Sequence, residues 1–147
     1  MTTKRYLSTV ARSLRQASKL TSITELDLSS SDSFICKNMM CEYVGESCIC
    51  RLALWTHQNQ DKLSSLTTLN LARNALAKLP DTIFDFNTLE HLDLSFNQLE
   101  EIPASVKRLS SLSSLDLRGN PLRQDASNKE LVHQLTHLQQ CKVLVDD

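Results

Sequence analysis

The stretch Leu89–Pro103 reads LEHLDLSFNQLEEIP, and it has two near copies in the chain. Residues 66–80 read LTTLNLARNALAKLP and residues 112–122 read LSSLDLRGNPL, so Leu66, Leu89 and Leu112 open the same phrase 23 residues apart. The shared frame is L-x-x-L-x-L-x-x-N-x-L. It continues through Leu79 and Ile102, then Ile83 and Val106, then Phe86 and Leu109. Apolar residues at alternate positions, as in Leu69/Leu71, Leu92/Leu94 and Leu115/Leu117, predict a short strand with one buried face. Asn74, Asn97 and Asn120 sit where each strand ends, and an amide there can satisfy the backbone of a turn. Pro80 and Pro103 predict the start of a short helical turn on the opposite side. No such unit can bury its own leucines, so the copies must stack.

The frame, with three matched Asn and two matched Pro, resembles the leucine-rich repeat family in its 23-residue intracellular style. The resemblance implies an α/β solenoid: a short curved parallel sheet on the concave side, helical or 3-10 segments on the convex side, and capping helices at the ends. Fainter copies extend it. Leu20 to Phe34 supplies Ile23, Leu26 and Leu28, with Ser31 in place of Asn, and residues 135–145 supply Leu135, Leu138, Cys141 and Val143. Five repeats result, over about residues 20–145, with Cys141 as a core residue. The whole chain of 147 residues is one domain: an N-terminal helix at 1–19, a first repeat at 20–34, an insertion at 35–60, regular repeats at 61–122 and a C-terminal cap at 123–147.

Composition agrees with a single soluble domain of 41% hydrophobic residues, and two Gly with three Pro are too few for a turn-rich sandwich. No apolar run approaches the roughly 18 residues that a membrane span needs. The formal charge is −1 but uneven, because Lys4, Arg5, Arg12, Arg15 and Lys19 all precede the first acid, Glu25. Residues 4–19 place Leu7, Val10, Leu14 and Ala17 on one helical face and the basic residues on another. Such a helix fits a cap over the first coil. Being basic, Ser-containing and acid-free, it equally fits a mitochondrial targeting segment, which leaves a cytoplasmic or a mitochondrial address for an intracellular protein.

From Ile23 to Leu66 is 43 residues, so one coil has gained 20. The excess holds Cys36, Cys41, Cys48 and Cys50, spaced C-x4-C-x6-C-x-C, followed by a stretch with helical character, RLALWTHQNQDKL. The four thiols are candidate metal ligands, but the paired C-x2-C turns of zinc knuckles are missing. Disulfide or redox behaviour and plain apolar packing are the alternatives. At the far end, Ser127 and Glu130 have capping-box spacing and predict a helix leading to a closing strand.

Enzyme chemistry finds no footing. His57, His91, His133 and His137 form no catalytic or metal spacing beyond the His133/His137 pair, and there is no glycine-rich phosphate loop. No cofactor is expected, and nucleic acid is disfavoured because five basic charges come without an aromatic stacking pattern. The expectation is a non-enzymatic protein-binding module: an adaptor or a structural subunit in a multi-subunit assembly. The alternatives are an imported mitochondrial complex subunit and a metal- or redox-responsive regulator.

The outward strand positions define the binding candidates. They fall in three columns: Glu25, Thr68, His91, Ser114; Asp27, Asn70, Asp93, Asp116, Lys142; and Ser30, Arg73, Phe96, Gly119. Phe96 is the single large aromatic among them. With Arg73, His91 and Asp93 it has the composition of a small hot spot, and Asp116, Arg118 and the insertion's Trp55 complete the set. The competing reading makes Phe96 padding between coils and the Asp residues servants of the turns. Phe84 is expected to face outward on the convex side.

Overall fold

The computed structural model describes residues 10–30, 40 and 49–146. Its six strands form one parallel sheet in sequence order: β1 (Val10–Ala11), β2 (Glu25–Asp27), β3 (Thr68–Asn70), β4 (His91–Asp93), β5 (Ser114–Asp116) and β6 (Lys142–Leu144). The helices are α1 (Leu14–Ser18), α2 (Cys50–Gln58) and α3 (Ala126–His137). Two 3-10 turns, Asp81–Asp85 and Ala104–Arg108, also lie among the described residues.

The strand register follows the repeat. Leu26, Leu69, Leu92 and Leu115 are successive partners and form a buried ladder, so the 43-residue step from the first repeat to the next is one coil with added chain. Pro80 and Pro103, at φ −71° and −61°, precede the 3-10 turns as expected, and Ile83 and Val106 are buried within them. The Asn column ties the coils together. Asn97 Oδ1 accepts from the N–H groups of Asn74 (2.9 Å) and Leu76 (3.0 Å), while its Nδ2 donates to the carbonyls of Leu71, Leu94 and Ser95. Asn120 repeats this one coil later toward Leu99, Leu94 and Leu117. Asn128 on α3 carries a similar role to Ile102 and Glu100. These buried amides leave few turn groups unpaired, which a coil without a helix or hairpin needs.

Several expectations are corrected at the ends. Residues 10–19 are not one helix: Val10–Ala11 pair with Glu25–Leu26 as a sixth strand, and Ser13, extended at φ −159°, caps a helix of only five residues by accepting from Gln16 N–H. The hydroxyl that starts α1 at Leu14 frees the preceding residues to extend the sheet. Ala11, Leu14 and Ala17 are buried, so the segment still covers the first coil. Lys62 Nζ donates to the carbonyls of Ala17 and Ser18 and so satisfies the C-terminal end of α1.

α2 covers less of the predicted helical stretch than expected and packs against the first 3-10 turn, where the hydroxyls of Thr56 and Thr82 share a hydrogen bond. Phe84 is consequently 2% exposed and belongs to the core, against the expectation of an outward ring.

The last repeat is shifted by two residues. Leu115 pairs with Val143, not Cys141, which moves Lys142 beside Ser114 and places Leu144 beside Asp116. A two-residue slip keeps the same side chains inward, so alternation alone could not exclude it. Cys141 is buried all the same, but Leu138 is 77% exposed, because α3 runs to His137 and the chain then turns through Gln140 at φ 54°. α3 is capped by Asp125, whose Oδ1 accepts from Asn128 N–H at 3.0 Å, and not by Ser127. That contact, with Arg123 nearby, holds the Asp125 carboxyl below the usual range.

Candidate protein-binding surface

Where each strand ends, the chain makes the same left-handed step. Ser30, Arg73, Phe96 and Gly119 have φ of 49°, 62°, 56° and 76°. Each donates its N–H across to the next coil: Ser30 to Ala72 O, Arg73 to Ser95 O, Phe96 to Arg118 O, and Gly119 to Asp146 Oδ2 at 2.7 Å. The Asp146 carboxylate thus stands where a further coil would place a carbonyl. This conformation suits Gly and is strained for a bulky residue, at about 1–3 kcal/mol. The cross-coil ladder holds it in place and sets the third column's side chains outward along the rim of the sheet.

Phe96 is 47% exposed. Its ring lies against Gly119, where an added Cβ would come within 2.4 Å of Phe96 Cδ1. The Arg73 guanidinium carbon lies 4.3 Å from the ring centroid, a cation–π stack. Arg73, Phe96 and Gly119 therefore occupy successive places along one column and touch. His91 and Asp93 stand on β4 in the neighbouring columns of the same face. His91 is exposed between Thr68 and Ser114, and Asp93 Oδ1 accepts from the N–H (2.9 Å) and hydroxyl (2.6 Å) of Ser95. Asp27 holds Ser29 in the same way. Asp27 and Asp93 thus hold groups of the following turn.

Asp116 does the same for Arg118 N–H and also receives that side chain in a two-pronged contact, Nε to Oδ1 at 3.0 Å and Nη2 to Oδ2 at 2.7 Å. The side-chain hydrogen bond from Arg118 holds the Asp116 carboxyl below the usual carboxylate range, against the opposing effect of partial burial. Arg118 is raised in turn by Asp116. Thr68, Asn70, His91, Asp93, Ser114, Asp116 and Leu144 line a shallow groove of about 260 Å³ along the inner face.

Trp55 belongs to a different place. It lies on α2, half-buried, and its Nε1 donates to Ser18 Oγ at 3.4 Å, joining α2 to α1. Cys36, Cys41 and Cys48 lie outside the described residues, while Cys50 opens α2. Among the described residues no three His, Cys, Asp or Glu side chains gather as a metal site; the rings of His133 and His137 lie tilted by 43° with centroids 4.4 Å apart. Sequence reasoning missed Leu144 and Asp146 through the two-residue slip, and it missed Gly119 as the floor beneath Phe96. The signal for that floor was present: one of only two glycines stands one repeat after the Phe.

Residues 64–122 match the family model described as leucine rich repeat. That segment is similar to leucine-rich repeats. The fold is similar to that of a leucine-rich-repeat protein from Leptospira interrogans, with a TM-score of 0.58 and 26% identity over 87% of this chain. That alignment covers 26% of the Leptospira chain, so the present chain spans about a quarter of its length. No curated protein matches the sequence. Leucine-rich repeats generally mediate protein–protein interaction, through surfaces that stacked coils present side by side. Among the described residues no helix is long and apolar enough to cross a membrane.

Proposed function

We propose that this leucine-rich-repeat protein is a non-enzymatic binding module that holds a partner protein against the inner face and its rim, as an adaptor or as a subunit of a larger intracellular assembly. The observation that supports this reading is Phe96: a half-exposed aromatic in a left-handed conformation where the other coils carry Ser30, Arg73 and Gly119. The repeat does not need an aromatic there, and a rigid ring packed against a cation is the kind of anchor around which interface energy concentrates. The groove past His91 and Asp93 adds polar contacts next to it.

The described part of the basic N-terminus, residues 10–19, is built into the first coil, which supports the cap reading over a detachable targeting segment. A cytoplasmic address goes with that reading. A reporter fused to residues 1–24 tests it, and mitochondrial fluorescence would replace it with the imported-subunit reading.

Affinity capture with the native chain, followed by quantitative mass spectrometry, tests the function itself. A stoichiometric partner that is retained by the native chain and depleted with His91→Ala/Phe96→Ala is the expected result. A partner set indifferent to both residues contradicts it.

A further inference from the structure

The inner face carries several carboxylates, yet each of those central to it is engaged. Asp27 accepts from Ser29, Asp93 from Ser95, and Asp116 from Arg118. The cations differ. Arg118 spends its fork on Asp116. Arg73 is exposed and, among the described residues, pairs with no carboxylate; its contact is the face of Phe96.

With its Cζ held over the ring face and no carboxylate on it among the described residues, the Arg73 guanidinium keeps N–H donors for whatever approaches the rim. A planar guanidinium can take a carboxylate with two parallel hydrogen bonds. The Phe96 backbone is held by its ladder hydrogen bond to Arg118 O, and its ring packs in the space that Gly119 leaves open. The platform beneath Arg73 is therefore set before any partner arrives, and less side-chain freedom is lost on binding.

We infer that the Arg73–Phe96 ledge recognises an acidic segment of a partner protein, with an Asp or Glu carboxylate on the edge of the Arg73 guanidinium and a neighbouring aliphatic side chain against the exposed part of the Phe96 ring. This rests on the proposed binding face and adds the chemistry of its occupant. A basic segment is the weaker fit at this ledge, because it would bring its cations against Arg73, while Asp116 is already paired with Arg118.

The test is a random dodecapeptide phage display against the full chain, with recovered peptides resynthesised and their affinities measured for the native protein and for Arg73→Gln, Arg73→Lys, Phe96→Ala and His91→Ala. Circular dichroism melts confirm that each variant is folded. The expected result is enrichment of Asp or Glu beside Leu, Ile or Val, with affinity at least about tenfold weaker for Arg73→Gln. Arg73→Lys, which keeps the charge but not the planar fork, should also bind less well than the native protein. Peptides that depend on Phe96 or His91 but lack acids, or ignore Arg73→Gln, would overturn the acidic occupant while leaving the binding face standing. Peptides indifferent to all three residues, or no enrichment at all, would overturn both.

Discussion

The ring of Phe96 rests on Gly119, one coil further along the column, at a distance that leaves no room for a methyl group. Both residues are left-handed, and each is held by a hydrogen bond into the next coil. An aromatic on this rim therefore depends on a glycine beside it.

Gly119→Ala should destabilise the protein by about 1–3 kcal/mol, through the left-handed φ and through displacement of the ring. Phe96→Ala in the same chain should recover the part due to the clash. A double-mutant cycle by denaturant melts measures it; strict additivity would show that the contact carries no energy.

Asn97→Ala should be costly, at about 2–5 kcal/mol, because it removes two acceptor and three donor contacts from a buried turn. Asn120→Ala should lose less, since that residue is only partly buried and makes three hydrogen bonds of 2.9–3.1 Å. Equal losses in chemical melts would count against the ladder as the source of stability.

Leu94→Ala, at a fully packed inward position, should destabilise by roughly 2–5 kcal/mol, since stacked coils on both sides limit collapse into the cavity. A change below half a kcal/mol, on the order of a surface substitution, would contradict the inward assignment.

The Asp116 carboxyl should titrate below an ordinary Asp, whose pKa is about 3.9. Because its folded value is depressed, the stability it contributes is present above the unfolded value and is lost as pH falls through the folded one. Arg118→Gln should move the titration up toward the ordinary value, read from the Asp116 carboxyl carbon by NMR. An unchanged midpoint would mean that Arg118 is not the cause.

The repeated leucines, the Asn column and the two prolines made the solenoid and the register of β3 to β5 legible, because a 23-residue period leaves one way to stack the copies, and the leucine pair of β2 fitted the same frame across a 43-residue step. Where the period failed, so did the reading. Val10–Ala11 carries no leucine pair and was hidden by a basic amphipathic pattern that one serine interrupts. β6 was placed two residues early because Cys141 and Val143 both fit the inward parity. Phe84 looked outward because its equivalents are polar, whereas α2 from the enlarged coil lies against that turn. At the candidate site, the column that joins Arg73 to Phe96 was legible as spacing. The left-handed backbone that turns those side chains to the rim was not, since Arg and Phe are poor markers of positive φ.

The central claim is that a partner protein is held by the Arg73–Phe96 rim. The most direct measurement is the dissociation constant of the captured partner for the native chain and for Phe96→Ala/Arg73→Ala, with melting curves of both. The account predicts at least about 30-fold weaker binding, equivalent to about 2 kcal/mol, with nearly unchanged melting, as for an anchor among neutral contacts. Equal affinity for the two proteins would contradict it.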